Sequence, residues 1–436
     1  MDQSSHLDQS SQRAPATRVA CILLWYPLFT QPFIFREVEG LRAHTDLSVY
    51  SLYGANLTHC SEEMCAVANS VQRLGVRGLG HILAELARQI LIHPRRFFSL
   101  FRRHMLRRWP SLEIFGENLW AFCAGFVLAR TFTAQKIDII YAPWPRGTAQ
   151  AAWVIHELTG IPFAMTVRGD NLMPADPDLL DKMAACALIR ANNRADQVRI
   201  EKLGQEKALG KTALVYNSLT LPTQALSLEK EPSAGDVCKL MALGRFDVTK
   251  GFDILLAACA LLKTWGLSFH LTLGGGGGVA MGLGGLEGQL HKLAHELALD
   301  DCVSFPGLIS HDKLPDILRR HDIFVAPCVI DPMGRQDGIP NTVIEAMSMG
   351  LPVIASSINA LPEIVRHEET GLCVPQKDPH ALACAIQRLA QERTLAKKLG
   401  ENAAKLSRTL FDPASNCKTL AHQLIAHAQR KTRCAE

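Results

Sequence analysis

Residues 239–253 read KLMALGRFDVTKGFD, an apolar run followed by a charged loop that leads into a helical pattern. The run at 239–243 predicts a buried strand, and apolar residues recur at helical spacing over 253–264. The same alternation continues toward the C-terminus, with further strands predicted at 268–273, 302–305, 323–326 and 352–355 and a helix at 342–349. Strands that alternate with helices indicate a parallel, doubly wound α/β layer.

A second layer of the same kind precedes this stretch. The sequence predicts strands at 19–25, 47–52, 137–142, 162–167, 188–190 and 213–217, with helices at 33–42 and 148–159. Residues 223–236 lack apolar periodicity and are rich in Ser, Glu, Lys, Pro and Gly, as expected of a linker. The chain is therefore predicted to have a disordered tail (1–17), a first domain (18–222), the linker (223–236) and a second domain from residue 237.

Composition fits a globular protein with at least two cores. The chain has 436 residues, 48% of them hydrophobic and 20% charged, which is too apolar for a disordered protein. A formal net charge of +4 argues neither for nor against a nucleic-acid partner, and no nucleic-acid-binding motif is recognised. The 13 cysteines form no Cys-x-x-Cys pair, which favours free thiols in a reducing cytoplasm. No apolar run is long enough to predict a membrane-spanning segment.

Two cations lie in the loop of the quoted stretch. Arg245 and Lys250 follow Gly244 where a strand gives way to a helix, so both side chains can face one anion. Arg offers a planar fork that matches a phosphate, Lys offers a point charge, and the helix start adds backbone donors. Two solvated surface cations are the alternative interpretation of this segment.

A second motif supplies carboxylates. In residues 337–347, DGIPNTVIEAM, Asp337 precedes a Gly-Ile-Pro turn and Glu345 lies within the following helix. Such carboxylates can accept hydrogen bonds from hydroxyl groups, while N–H groups at the helix start can hold a phosphate. The alternatives are a helix N-terminal charge for Asp337 and a solvated face for Glu345.

Together these motifs resemble a known family. LGRF…KGFD, VSFPGLIS, DGIPNTVIEAMSMGLPVIAS and LPEIVRHEETGLCV stand in the order and approximate spacing found in family 4 retaining glycosyltransferases, and the set is most similar to bacterial colanic-acid and exopolysaccharide transferases. The likeness is dense over 239–389 and looser at YPLFTQPFI (26–34) and GIPFAMTVRGD (160–170). It implies the GT-B fold, in which two Rossmann-like domains face a cleft.

The resemblance also implies roles for residues. Arg245 and Lys250 would clamp the donor diphosphate, Glu345 would hold the ribose, and Asp337, standing where the family has Glu, would bind the transferred sugar. Further donor contacts are assigned to Gly244, Gly338, Ile339, Pro340, Asn341, Arg168, Asp170 and Gly275. The first domain would bind the acceptor, the second domain (237–410) would bind the donor, and a last helix (411–436) would cross back to the first domain. No metal and no cofactor would be needed.

Two of these assignments carry alternatives. Arg168 stands where the family often has the His of a His-Gly-x-Asp motif, and an arginine cannot act as a general base at neutral pH. Its presence leaves open a noncatalytic subunit that binds a nucleotide-sugar; a nucleotide-dependent oxidoreductase is the other class considered. Gly275 belongs to a run of five glycines whose role is either ligand contact or flexibility.

The segment 73–108 carries nine arginines and interleaved apolar residues against a single acid, Glu85. Helices with one apolar and one basic face suit an anionic membrane surface, where a lipid-linked acceptor would be held. A packed helix pair with a solvated basic face is the alternative. The sequence therefore predicts a cytoplasmic protein with a possible peripheral position at the inner face of the plasma membrane.

Overall fold

The computed structural model describes residues 16–58, 60–169, 172, 175–219, 237–276, 286–310 and 313–435. The predicted linker, almost all of the predicted tail and Asp170 lie outside the described residues.

The first lobe is built on a seven-stranded parallel sheet. Its strands are β1 (Arg18–Leu23), β2 (Asp46–Ser51), β3 (Gln72–Arg73), β4 (Ile139–Ala142), β5 (Phe163–Val167), β6 (Leu188–Ala191) and β7 (Thr212–Leu214). They pair in the order β3-β2-β1-β4-β5-β6-β7, with every pair parallel. The strand order reverses between β1 and β4, and ligands of such sheets bind beyond the carboxyl ends of the strands at that reversal.

The second lobe repeats this plan with six strands. They are β8 (Cys238–Arg245), β9 (Phe269–Gly276), β10 (Val303–Ser304), β11 (Ile323–Ala326), β12 (Val353–Ser356) and β13 (Leu372–Val374). The order is β10-β9-β8-β11-β12-β13, again all parallel, with the reversal between β8 and β11. The predicted fold class, two doubly wound α/β layers, is confirmed.

Helices cover both sheets. Those of the first lobe are α1 (Pro32–Arg42), α2 (Glu62–Val67), α3 (Leu79–Ile92), α4 (Pro94–Met105), α5 (Leu112–Ala134), α6 (Gly147–Thr159), α7 (Leu179–Ala185) and α8 (Arg194–Gly204). Those of the second are α9 (Phe252–Thr264), α10 (Leu286–Glu296), α11 (Leu314–Leu318), α12 (Asn341–Ser348), α13 (Leu361–Ile364), α14 (Pro379–Gln391) and α15 (Arg393–Leu410). The last helix, α16 (Pro413–Ala435), packs Leu420 and Leu424 into the core of the first lobe.

One helix departs from the expectation that no segment could span a membrane. By length and composition alone, α5 is long and apolar enough to do so. Its inner face, however, packs against α6 so closely that a Cβ on Gly125 would lie 2.7 Å from Val154 Cγ1. Phe126 and Phe132 on the same helix are fully buried. We therefore interpret α5 as a core helix of the first lobe.

A buried ion pair fastens α1 to the first sheet. Glu37 and Arg190 are each 1% exposed and form a salt bridge between α1 and β6. Tyr141 on β4 donates to Glu37 Oε1 at 2.6 Å and accepts from Arg190 Nη1 at 3.0 Å. Arg190 also donates to the carbonyl oxygens of Val215 and Tyr216, both at 2.9 Å. The network therefore joins α1, two strands and the segment that leaves the first lobe.

Removing the charge of Glu37 should destabilise the protein strongly. We expect Glu37→Gln to lower the free energy of unfolding by about 3 kcal/mol, because it leaves the Arg190 guanidinium buried without a counter-charge. Glu63→Gln is the control: this glutamate is 62% exposed and pairs at the surface with Arg36 of α1, so its loss should cost less than about 1 kcal/mol. Urea unfolding followed by tryptophan fluorescence measures both, and equal losses would contradict the assignment.

Candidate functional site

The loop after β8 is held in one conformation. Asp247 Oδ1 accepts hydrogen bonds from the backbone N–H of Thr249 at 3.0 Å and from its hydroxyl at 2.7 Å. Gly251 closes the loop with a φ of 63°, and a Cβ there would lie 2.0 Å from the carbonyl oxygen of Pro327. Only glycine fits both constraints, since other residues rarely adopt this backbone conformation. The loop therefore turns Lys250 back over the carboxyl end of β8.

Lys250 forms an ion pair with Asp337. Its Nζ lies 2.8 Å from Asp337 Oδ2, and the two side chains are only 12% and 24% exposed. Burial lowers the pKa of Lys250, but the Asp337 carboxylate outweighs it and the net pKa is raised. Lys250 is therefore protonated at neutral pH.

The first cation of the motif lies beside the second. The positive charge of Arg245 acts against protonation of Lys250, which shows that the two cations are within electrostatic reach of each other. Arg245 ends β8 and is exposed. A Cβ on Gly244 would lie 3.2 Å from Lys250 Cε, so the lysine side chain lies across this glycine. The loop thus presents one solvent-facing and one largely buried cation.

The second motif meets the first at the end of β8. The hydroxyl of Thr342, in the first turn of α12, donates to the carbonyl oxygen of Leu243 at 3.1 Å. Ile339 anchors the preceding turn in the core of the second lobe, and Pro340 sets the entry into α12 with an extended backbone. Asn341 starts the helix, and Glu345 is half-buried further along it. The structure therefore brings the two sequence motifs together.

Gly275 has a structural reason to be glycine. It pairs with Gly244 across β8 and β9, and its φ is 135°. A Cβ at this position would lie 1.8 Å from the carbonyl oxygen of Gly244. Close packing of two strands therefore explains this glycine without a ligand, and the glycines between residues 277 and 285 lie outside the described residues.

Arg168 lies at the carboxyl end of β5, between two aromatic rings. Its guanidinium carbon is 4.8 Å from the centroid of Phe33 and 4.6 Å from that of Trp144, and the residue is 6% exposed. Arg168 Nη1 donates to Asn217 Oδ1 at 3.0 Å, and Asn217 Nδ2 lies 3.5 Å from Asn341 Oδ1. Arg168 thus belongs to the first lobe and reaches the start of α12 through Asn217.

The start of α8 forms the other side of the cleft, which sequence reasoning did not identify. Asn193 caps this helix by accepting from the backbone N–H of Asp196 at 2.7 Å. A Cβ on Gly338 would lie 3.2 Å from Asn193 Nδ2, so this turn of the second lobe faces the capped helix. Arg199 Nη1 donates to Asn359 Oδ1 at 2.6 Å. The spacing Asn193-x-x-Asp196 is a recognisable helix-start signal, but it does not reveal a partner in the other lobe.

Glu363 connects the lobes most directly. Its carboxylate accepts from the backbone N–H groups of Arg194 at 3.0 Å and Ala195 at 2.7 Å, and from the Tyr216 hydroxyl at 3.1 Å. A carboxylate of the second lobe thus sits at the start of a helix of the first, where the helix dipole favours negative charge. We name this contact the Glu363 clasp. Among the described residues, no three His, Cys, Asp or Glu side chains come together as a metal site.

Comparison with known proteins agrees with this geometry. Residues 225–406 match the family model of glycosyl transferases group 1. The amylovoran biosynthesis glycosyltransferase AmsK of Erwinia amylovora is 30% identical over 196 residues, 44% of this chain and 46% of the relative. The putative colanic acid biosynthesis glycosyltransferase WcaL of Escherichia coli is 32% identical over 152 residues, 35% of each chain. The aligned part thus spans less than half of either relative.

Solved structures extend the likeness to both lobes. Sucrose-phosphate synthase of Thermosynechococcus elongatus superposes with a TM-score of 0.69 at 18% identity, covering 96% of this chain and 100% of that one. Anabaena HepE, solved with UDP and glucose, gives 0.67 at 16% identity, covering 94% and 100%. At such identities the likeness shows the fold. The second lobe is therefore similar to the glycosyl transferases group 1 domain, and the whole chain has the two-lobe GT-B fold of these solved structures.

Proposed function

We propose that this chain is a retaining glycosyltransferase that moves a sugar from a nucleoside-diphosphate sugar to a glycan or lipid-linked acceptor in surface polysaccharide biosynthesis. The observation that carries the proposal is the Lys250–Asp337 pair beside Arg245. It places two cations and a carboxylate at the carboxyl end of β8, where the strand order of the second sheet reverses. The relatives named for amylovoran and colanic acid biosynthesis support the substrate class.

The chemistry of the reaction matches these charges. When the bond between sugar and diphosphate breaks, negative charge grows on the leaving nucleoside diphosphate, and cations already in place stabilise that charge most in the transition state. Lys250 would exchange its contact with Asp337 for a phosphate oxygen, which leaves the Asp337 carboxylate to accept hydrogen bonds from the transferred sugar. Glu345 would hold the ribose hydroxyls. A phosphate oxygen of the leaving group would take the acceptor proton.

Metal independence belongs to the same proposal. Arg245 and Lys250 supply the positive charge that a divalent cation supplies to diphosphates in other enzymes. Arg168 cannot accept a proton, and its place between Phe33 and Trp144 makes it a fixed positive charge on the first-lobe side. The noncatalytic alternative predicts binding of the donor without release of nucleoside diphosphate, so turnover in excess EDTA separates it from the transferase.

The cation clamp can be tested without knowing the acceptor. We expect UDP, GDP or one of their sugars, added to the full chain in EDTA, to raise the melting temperature, because a ligand present at about 100 times its Kd adds about 2.7 kcal/mol of stability. Arg245→Ala and Lys250→Ala should each abolish most of this rise, since each removes a charged partner of the diphosphate. Arg319→Ala, a surface arginine paired with Asp316, is the control and should keep the full rise.

Two results would contradict the clamp. One is an undiminished rise in both Arg245→Ala and Lys250→Ala. The other is the absence of any rise in the wild-type protein with every nucleotide tried.

The Glu363 clasp should stabilise the closed arrangement of the lobes. Closure excludes water and so limits donor hydrolysis. We expect Glu363→Ala to enlarge the radius of gyration in small-angle X-ray scattering, because it removes three hydrogen bonds to a carboxylate. A hydrogen bond to a charged group contributes about 1.5–3 kcal/mol to the free energy of association. Glu369→Ala, which removes a surface glutamate that is 59% exposed, is the control. Superimposable scattering curves for wild type and Glu363→Ala would show that the clasp does not hold the lobes.

A peripheral position at an anionic membrane completes the proposal. Helices α3 and α4 bury Ile82, Leu100 and Met105 in the first lobe. They are therefore a packed helix pair, which was the alternative to a membrane-binding segment. Their outer side nevertheless exposes Leu91 to 81% and Phe98 to 59%. Exposed arginines accompany these residues at positions 95, 102 and 108, whereas Arg96 and Arg103 bond to Glu157 and Leu158 of α6. Exposed apolar residues among cations favour a surface of anionic lipid.

Vesicle binding tests this surface. We expect the protein to sediment with phosphatidylglycerol vesicles but not with phosphatidylcholine vesicles, and binding should weaken with salt because the Debye length shortens. The double variant Leu91→Glu, Phe98→Glu should lose binding. Leu209→Glu is a matched control, because Leu209 is 78% exposed and lies elsewhere in the first lobe. Equal sedimentation of both variants would contradict the membrane assignment.

A further inference from the structure

The first lobe exposes an aromatic surface that the donor site does not use. The rings of Trp25 and Tyr53 have centroids 5.2 Å apart, and those of Tyr53 and Trp120 are stacked at 6.3 Å with an interplanar angle of 14°. Trp120 Nε1 donates to the carbonyl oxygen of Leu52 at 2.9 Å, which fixes the innermost ring. Trp25, the outermost, is 39% exposed. We call these three rings the aromatic shelf.

The shelf lies where an α/β sheet binds ligands. Trp25 comes just after the carboxyl end of β1, and Tyr53 just after that of β2. The strand order of the first sheet reverses between β1 and β4, so the shelf stands at the reversal, as Arg245 does in the second sheet. This position favours ligand binding over a purely structural role for an exposed tryptophan.

A carboxylate borders the shelf. Glu117 Oε1 accepts from the backbone N–H of Gly147 at 2.9 Å, at the first residue of α6. A Cβ on Gly147 would lie 2.8 Å from that oxygen and 2.9 Å from Leu24 Cδ2, so glycine is what admits the carboxylate here. Glu117 precedes Trp120 by three residues on α5, so both side chains lie on the same side of that helix, and Leu24, the neighbour of Trp25, packs at the same glycine. The shelf thus combines apolar ring faces with a hydroxyl and a carboxylate.

The shelf lies two strands away from Arg168 in the first sheet. The chain that follows Trp25 leads to Phe33, which contacts both Trp144 and Arg168. Neighbouring strands are about 4.8 Å apart, and β1, β4 and β5 are consecutive in the sheet, so the ends of β1 and β5 are about 10 Å apart. A short oligosaccharide spans such a distance, from the donor side at Arg168 to the rings at Trp25.

We propose that the aromatic shelf and Glu117 bind a sugar ring of a carbohydrate acceptor. One face of a pyranose carries mainly C–H groups and would lie on Trp25, while the ring's hydroxyls would donate to Glu117 and bond with Tyr53. A protein partner would need a larger apolar surface than these rings provide. This inference rests on the proposed function, because it places the acceptor relative to the donor cleft.

The test uses the full chain with UDP or GDP at saturation and, as probes, p-nitrophenyl glycosides of glucose, galactose, mannose and fucose. Saturation-transfer NMR reports glycoside binding, and the nucleotide-induced rise in melting temperature reports the donor site. We expect Trp25→Ala to weaken glycoside binding about tenfold, equal to about 1.4 kcal/mol, with the nucleotide-induced rise unchanged. Trp265→Ala is a matched control, because Trp265 is 36% exposed and lies in the second lobe. Glu117→Gln should weaken binding while leaving the rings in place.

The possible results separate the two proposals. Weaker glycoside binding in Trp25→Ala and Glu117→Gln but not in Trp265→Ala supports the shelf. Wild-type glycoside binding in Trp25→Ala, or no glycoside binding by a wild-type protein that responds to nucleotide, overturns it. No response of the wild type to any nucleotide or nucleotide-sugar overturns the proposed function, and the shelf assignment falls with it.

Discussion

The geometry of the candidate site depends on the ion pair between Lys250 and Asp337. Burial lowers the pKa of Lys250, and the Asp337 carboxylate offsets this effect and favours the charged form of the lysine. The pair also joins two loops distant in sequence, the β8–α9 loop closed by Gly251 and the turn that enters α12. Because one carboxylate balances one ammonium, the diphosphate of the proposed donor would meet a cation that is already charged and in place when it displaces Asp337 from Lys250. Little reorganisation is then needed at the moment when the leaving group gains charge.

Polar contacts join the two lobes beside apolar ones, in which Phe33 and Ala195 of the first lobe pack against the core of the second. Glu363 accepts from the start of α8, Arg199 donates to Asn359, and Gly338 faces Asn193. Contacts of this kind are individually modest in net free energy because water replaces them when the lobes separate. Such an interface can open to admit substrates and close around them, whereas a large apolar interface would stay shut. The last helix, α16, covers the core of the first lobe after the chain has completed the second, so the chain passes between the lobes twice.

Local features of the sequence predicted the fold well because each is encoded by neighbouring residues. The strand predicted at 239–243 and the helix predicted at 342–349 correspond to β8 and α12, although β8 continues to Arg245, which was predicted to lie in the loop. The Glu363 clasp could not be predicted, because its partners lie 169 and 168 residues away and a backbone N–H carries no side-chain signature. Gly275 shows that a sequence motif can also suggest too much. Its run of glycines suggests contact with a ligand, but the carbonyl oxygen of Gly244 alone leaves no room for a side chain at this position. The aromatic shelf was missed because Trp25, Tyr53 and Trp120 come together only in three dimensions.

Arg168 is a fixed positive charge near the contact between the two lobes. Phe33 and Trp144 hold its guanidinium from two sides, and cation–π contacts of desolvated groups contribute about 2 kcal/mol, so the charge is fixed in direction as well as in sign. Through Asn217 this fixed cation is connected to Asn341 at the start of α12, the helix that follows the turn with Asp337. An arginine in this place cannot accept a proton but can stabilise negative charge on a phosphate. In the proposed transfer the acceptor proton would therefore not go to Arg168, and an oxygen of the leaving phosphate, on which negative charge grows as the sugar departs, is the acceptor that the proposal assigns to it.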